Sequence, residues 1–341
     1  MTTLSAPAPT LPVIDLRDAA NPATAGAFHD RLREATRDFG FFYLVGHGIP
    51  RELSGDLVSV AREFFALPDE KKLAVEKLNS PHFRGYSRVG DEFTAGARDW
   101  REQVDVGPET APRPATEQEP WAVLDGPNQW PAEPARFRAV VEEWVRHNER
   151  VARTLLHAWL VALGQDPGLL DDDFREPDGR LKIVRYPEAP DTAHDQGVGE
   201  HKDFGFLTLL FVEPGKGGLQ VEKDGRWIEA EPVEDALIIN IGEMLEAATD
   251  GYLRATNHRV VSRPGEGDRI SVPYFFNPGL STTFNPWDLP AELAAEAPGV
   301  ELQEHNRIYQ TYGLNALKMW FRSHPVVTER HHRELARRLG I

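Results

Sequence analysis

A histidine and an aspartate stand two residues apart in the stretch GEHKDFGFLTLLF (199–211), ahead of a run that is almost wholly apolar from Phe204 to Phe211. In a strand, side chains at i and i+2 share a face, so His201 and Asp203 aim at one place and Lys202 points away. A metal held there needs a third protein ligand on a later strand. His258 is the candidate: it opens HRVVS, with residues 204–257 between it and Asp203. Two neutral imidazoles and one carboxylate leave coordination positions open, the donor set of ferrous non-haem sites. Arg269 and Ser271 follow in Arg-Ile-Ser, again on one strand face. A guanidinium facing a barrel interior is costly unless an anion pairs with it, and its planar fork matches a carboxylate. The set describes a cavity with a metal at one end and a carboxylate anchor at the other, a shape suited to a 2-oxo dicarboxylate.

These residues need a β framework, and the chain supplies one. From Leu181 onward it reads as short strands: LKIVRY (181–186), FLTLLFV (206–212), GLQVEK (218–223), RWIEA (226–230), ALIINI (236–241), HRVVS (258–262) and ISVPYFF (270–276). Asp224-Gly225 between two alternating runs is a hairpin signal. Close spacing with turn residues between points to a sandwich or barrel rather than a parallel sheet. Upstream, PVIDL (12–16) and FFYLV (41–45) read as strands. Phe28, Leu32, Ala35 and Phe39, then Leu53, Leu57, Ala61, Phe64 and Phe65, repeat at helical spacing. A long helix is predicted from Phe137 to Leu163, with Gly164 as its stop. Residues 1–11 are Pro-rich and expected to be mobile; 108–135 are rich in Pro and Glu and read as a surface loop. The expected fold is α+β, a double-stranded β-helix (jelly-roll, cupin-like) core buttressed by N- and C-terminal helices. The regions expected are 1–120 (N-terminal helices and strands), 121–175 (long helix and connections), 176–285 (jelly-roll core) and 286–341 (C-terminal helical region), all one unit.

Bulk properties narrow the function classes. The 341 residues carry a net charge of −16, which repels phosphate backbones and argues against nucleic acid. The absence of cysteine excludes disulfides, thiolate catalysis and sulfur-ligated metal. The N-terminus lacks a secretory pattern and no apolar run approaches a membrane span, so a cytoplasmic protein without a membrane partner is expected.

The sequence resembles the isopenicillin-N-synthase-like family of 2-oxoglutarate/Fe(II)-dependent dioxygenases. The resemblance runs from PVIDL, GFFYLVGHGIP, FFALPDEKK and GPNQWP through RYP, His-x-Asp, GGLQV, DGRWIEA, INIGEMLE, HRVVS and RISVPYFFNP. It implies that His201, Asp203 and His258 are iron ligands, that Arg269 and Ser271 hold the distal carboxylate of 2-oxoglutarate, and that Tyr186 supports the same carboxylate. Val184 stands where the family often has asparagine, so one polar contact is expected to be absent. Asn240 and Gly242 are expected to be structural. The implied activity is oxidation of an unactivated C–H bond of a small molecule by O2, as hydroxylation, desaturation or cyclisation, with release of succinate and CO2. Ascorbate is a candidate activator and secondary metabolism the implied setting.

Candidate substrate contacts are Arg84, Tyr86, Arg88, Glu92, Arg101, Phe204 and Phe275; Tyr312, Asn315 and Trp320 lie on a C-terminal helix that packs nearby. The adjacent His331-His332 diverge on a helix and read as surface. A monomer or weak homodimer is expected. Two alternatives stay open from the residues: an iron oxidase of the same family that dispenses with 2-oxoglutarate, or is of the ethylene-forming type, and a non-catalytic binding module with a structural metal.

Overall fold

The computed structural model describes residues 10–94, 96–190, 196–300 and 309–341 of the chain; the Pro-rich residues 1–9 lie outside them. The chain begins with β1 (Val13–Asp15), α1 (Ala25–Asp38), β2 (Phe41–Val45), α2 (Arg51–Phe65) and α3 (Asp69–Leu73). Phe28, Leu32 and Ala35 form the buried stripe of α1, and Leu53, Leu57, Val60 and Phe64 that of α2. Gly40 ends the first of these with φ 67°, where a Cβ would lie 2.1 Å from the Arg254 carbonyl oxygen. Leu11 is buried between strands, so the N-terminal segment expected to be mobile is already anchored there.

Next come β3 (Gly85–Ser87), β4 (Phe93–Thr94), β5 (Ala97–Arg98), β6 (Glu102–Val106) and α4 (Phe137–Ala162). The 26 residues of α4 span about 39 Å. Its buried face, which includes Trp144, Leu155 and Trp159, underlies the sheet. The 108–135 segment is not purely a surface loop. Its Pro120–Leu124 forms a 3-10 turn whose Trp121 packs so close to Gly313 that a Cβ there would lie 2.4 Å from the indole.

The β region comprises β7 (Arg180–Tyr186), β8 (Gln196–His201), β9 (Leu207–Val212), β10 (Leu219–Lys223), β11 (Arg226–Glu229), β12 (Leu237–Ile241), α5 (Glu243–Ala248), β13 (His258–Val261) and β14 (Arg269–Phe276). The chain ends in α6 (Ala291–Ala294), α7 (Tyr312–Ser323), α8 (Pro325–His331) and α9 (Arg333–Leu339). One sheet runs β1-β2-β12-β9-β14-β7-β6-β3 and a second β11-β10-β13-β8. Their facing sides enclose Tyr43, Val184, Val212 and Ile238 from the first with Val198, Val221 and Val260 from the second. The two packed sheets are the jelly-roll core, and α1, α2 and α4 cover the other face of the larger sheet. This explains the continuous apolar run of β9: Leu209 and Phe211 face the helices, Leu210 and Val212 the opposite sheet. Asp224 and Gly225 form the expected hairpin, both at positive φ, with Lys223 paired to Arg226.

The placement of the His-x-Asp pair differs from strand alternation. β8 ends at His201, β9 begins at Leu207, and Asp203 lies on the loop between. β8 itself (QGVGEH) has two glycines and no alternating pattern. Its pairing with β13 makes it a strand. His332 is not a surface residue: Nε2 lies 2.6 Å from the Pro81 carbonyl oxygen and its ring stacks on Phe83. No helix among the described residues is long and apolar enough to cross a membrane.

Candidate active site

His201 closes β8 and His258 opens β13, and the two residues are register partners across the smaller sheet. Their ring centroids are 4.2 Å apart. Asp203 reaches them from the β8–β9 loop, with Oδ1 3.8 Å from Nε2 of each histidine. The three donor atoms lie within 4.8 Å of one another. That loop sits on the start of α5, where the Glu243 and Gly242 amides donate to the carbonyls of Asp203 and Phe206. Any Cβ at Gly242 would lie 2.2 Å from the Gly205 carbonyl oxygen, which accounts for the glycine of NIGEMLE.

Hydrogen bonds decide which atoms remain for a metal. Nδ1 of His201 lies 2.8 Å from the Gly199 carbonyl oxygen, and Nδ1 of His258 3.1 Å from that of Thr256. A carbonyl only accepts, so both protons sit on Nδ1 and both Nε2 lone pairs face the centre. Thr208 Oγ1 and Asn240 Nδ2 both donate to Asp203 Oδ2, at 2.6 and 2.7 Å, which leaves Oδ1 free. Asn240, expected to be only structural, therefore orients the carboxylate, and Thr208 was missed. No local pattern announces either: they meet at the site because the β12–β9 ladder pairs Asn240 with Thr208. Burial, then the neighbouring His258, pushes the His201 imidazole down to about 3, so it is neutral as a ligand must be. Burial alone would raise Asp203, but His258, His201 and the Thr208 and Asn240 donors outweigh it and keep the carboxylate ionised.

Arg269, Ser271 and Tyr186 lie on the adjacent β14 and β7, with Arg269 opposite Tyr186 and Ser271 opposite Val184. The Arg269 guanidinium is buried and lies 4.9 Å from the Tyr186 ring centroid. Nη1 donates to the Gly217 carbonyl at 2.8 Å, and Nε is buried without a partner. The Gly217-Gly218 pair of GGLQV permits this approach, since a Cβ at Gly218 would meet the Val261 carbonyl oxygen at 2.4 Å. Among the described residues no carboxylate forms an ion pair with Arg269. Burial lowers its pKa, the condition an incoming carboxylate relieves. Val184 is packed in the apolar cluster between the sheets and offers no polar contact.

All six residues line one cavity of about 510 Å³, a small-molecule size. Of the sequence-derived substrate contacts, Glu92, Arg101, Phe204 and Phe275 line it, as do Tyr312, Asn315 and Trp320. Arg84, Tyr86 and Arg88 do not. Arg84 is buried and donates to the His82 and Leu124 carbonyls. Tyr86 donates to Glu102 at 2.6 Å, and the exposed Arg88 pairs with Glu76. A second group, Glu92, Asp105 and His324, also has its donor atoms within 4.8 Å. The ammonium of Lys77 already stands among them, 2.7 Å from Glu92, 2.6 Å from Asp105 and 2.8 Å from His324 Nε2.

Comparison with known proteins agrees with this geometry. Residues 11–133 match the family model of the non-haem dioxygenase N-terminal region in morphine synthesis, and 177–278 that of the 2OG-Fe(II) oxygenase superfamily. The chain is 36% identical over 292 residues to the 2-oxoglutarate-dependent dioxygenase frbJ of Dothideomycetidae sp. (strain 11243), covering 84% of this chain and 79% of that protein. It is 32% identical to homoarginine-6-hydroxylase 2-ODD-C23.1 of Arabidopsis thaliana, covering 82% and 88%. Among solved structures, a full-length Neurospora crassa protein in complex with alpha-KG superposes with TM-score 0.75 at 26% identity, covering 91% and 95%. JOX2 in complex with 2OG, Fe and JA superposes with TM-score 0.73 at 26% identity, covering 94% and 89%. The chain belongs to the 2-oxoglutarate–Fe(II) oxygenase superfamily and is an iron- and 2-oxoglutarate-dependent dioxygenase.

Proposed function

We propose that His201 and His258 hold Fe(II) through Nε2 and Asp203 through Oδ1, and that Arg269, Ser271 and Tyr186 receive the distal carboxylate of 2-oxoglutarate. The observation that carries this is the pairing of two unmet needs in one cavity. Three donors present lone pairs to one point, and a buried guanidinium lacks an anion. Bound iron and 2-oxoglutarate supply the oxidation of a substrate C–H bond by O2, with succinate and CO2 released. The side chains do the rest. The Nδ1–H bonds to Gly199 and Thr256 orient the two imidazoles. Thr208 and Asn240 hold Asp203 so that one oxygen faces inward. The parallel stack of Phe204 on Tyr312, with Phe275, supplies apolar wall that limits water at the substrate. The substrate is a small molecule, contacted by Glu92, Arg101, Phe204 and Phe275, and hydroxylation is the default outcome.

Anaerobic Fe(II) and 2-oxoglutarate should together give the weak visible charge-transfer absorption of the chelate. Substitution Arg269→Gln should raise the 2-oxoglutarate concentration needed for half of it by about 30-fold or more, the scale of a lost buried charge partner. An unaltered 2-oxoglutarate dependence in R269Q, or no absorption in the native protein, removes the proposal.

A further inference from the structure

The cavity is cationic although the chain is acidic. Seven lysine and arginine side chains line it against three aspartates and glutamates, in a protein of net charge −16. Iron and 2-oxoglutarate bring equal and opposite charge, so they leave that excess in place. Much of it is met within the protein. Arg101 and Lys182 share Glu92, with Asp99 and Asp105 behind them. Arg180 is also paired, with the buried Asp178, but only through part of its guanidinium. It is 5% exposed, its Nε donates to Asp178 Oδ1 at 2.6 Å, and its Nη1 is buried without a partner among the described residues.

Arg180 is not a second contact for the cosubstrate. Arg269 pairs with Tyr186 and Phe275 with Arg180 in the β14–β7 ladder. Six residues of strand separate the two arginines, about 20 Å, far beyond the reach of 2-oxoglutarate. Arg180 and Lys182 both lie against the Trp320 ring, each 5.6 Å from its centroid, so α7 fixes both cations at its end of the cavity. Two more cavity-lining cations, Lys318 and Arg322, stand one turn apart on α7. Like charges at i,i+4 repel, and Glu243, another cavity-lining residue, offsets part of this at Lys318. Burial, and then Arg322, hold the Lys318 ammonium below the usual lysine range.

We propose that the substrate carries a carboxylate that docks on Arg180 at the α7 end of the cavity, with Lys318 and Arg322 adding to the field that selects it. Nη1 of Arg180 has no partner among the described residues, and a charged N–H donor of this kind suits a carboxylate. The apolar part of the cavity lining includes Phe204, Leu210, Pro273, Phe275 and Met319. The substrate class is thus a small acid with an apolar body whose oxidised carbon lies away from its carboxylate. This rests on the reading above for the position of iron and 2-oxoglutarate.

The test uses the anaerobic protein with Fe(II) and 2-oxoglutarate, after the chelate absorption has been recorded; a missing absorption reports on the earlier reading, not on this one. An equimolar mixture of 3-phenylpropanoate, octanoate and N-benzoylglycine with their primary amides and the corresponding amines is equilibrated, and retained ligands are identified by mass spectrometry. Acids should be retained about tenfold or more over amides, with amines excluded. R180Q should bring the acid-to-amide ratio close to one while the absorption persists, and R322Q, at an exposed helix position, should lower it by a smaller factor. Equal retention of amides or amines, no retention while the absorption is present, or an unchanged ratio in R180Q overturns the proposal. If R180Q does not fold, the ratio in the unaltered protein and its change in R322Q decide it.

Discussion

His201, Asp203 and His258 bring their donor atoms within 4.8 Å of one another, and so do Glu92, Asp105 and His324. By residue type the two groups are near equivalents, imidazole and carboxylate in each. They differ in what surrounds the donors. In the first, each atom not facing the centre is engaged: both Nδ1 by a backbone carbonyl, Oδ2 by Thr208 and Asn240. The inward atoms are left with lone pairs and no proton. In the second, Lys77 stands at the centre, and Gln103, Arg101 and Lys182 close the remaining sides. A cation site already served by an ammonium has no need of a metal. Ligand type is therefore a weak criterion, and the direction of the outer hydrogen bonds is the stronger one.

The largest contrast is in iron binding. Asp203→Ala should lower Fe(II) affinity by more than the ~100-fold that loss of an outer-shell partner can cost, so the chelate absorption disappears at micromolar iron. Asp105→Asn removes a carboxylate of the other group without changing its size, and should leave that absorption at full intensity. Equal losses in the two variants would erase the distinction drawn above.

Stability should show the reverse order. Lys77→Met leaves Glu92 and Asp105, both buried, without their central cation, and should cost about 3–5 kcal/mol of unfolding free energy in urea titrations. Asp203→Ala should cost far less, because it removes a buried charge rather than stranding one. A Lys77→Met protein as stable as the native one would mean that Arg101 and Lys182 alone neutralise the pair.

How much of this could be read in the sequence follows the same division. The residues proposed to hold iron and 2-oxoglutarate lie in or beside short motifs, of which those on β7, β13 and β14 sit in clear apolar strand patterns, so their types, spacing and order carried the reading. The local alternation argument for His201 and Asp203 rested on the wrong geometry, since Asp203 stands on a loop, although the two side chains do converge. Thr208 and Asn240 were not legible as ligand supports, because their role comes from strand pairing across the β12–β9 ladder, not from local pattern. The fate of Arg84, Tyr86 and Arg88 was hidden for a related reason. A stretch mixing arginines and aromatics resembles a pocket wall, yet β3 and β6 turn Tyr86 toward Glu102, and the backbone around Leu124 consumes Arg84. His324 and Lys77 meet across 247 residues, a contact no periodicity announces.

The smallest effect concerns pH and separates the members of the charged group. Burial, and then Lys77, depress His324 below its ordinary 6.5 despite Glu92 beside it. Glu92 and Asp105 are held below their ordinary 4.5 and 3.8: burial opposes this, but Lys182 and Lys77 outweigh it. For each of the three the folded protein binds protons less readily than the unfolded chain. Their contributions are complete above the unfolded values and are lost as pH falls, His324 first, below 6.5, and the carboxylates only below 4.5. One proton limits the His324 share to about 1.4 kcal/mol per pH unit. The buried His47 and His332 and the half-buried His82 are depressed as well and add to the same limb. His324→Gln should therefore reduce the fall in unfolding free energy between about pH 6.5 and pH 5 without abolishing it, and leave the steeper loss at lower pH intact. If the slope in that interval were unchanged, His324 would be carrying a proton in the folded protein. Lys77 would then face a cation across 2.8 Å, and the lysine-centred account of this group would fail while the proposed iron site stood untouched.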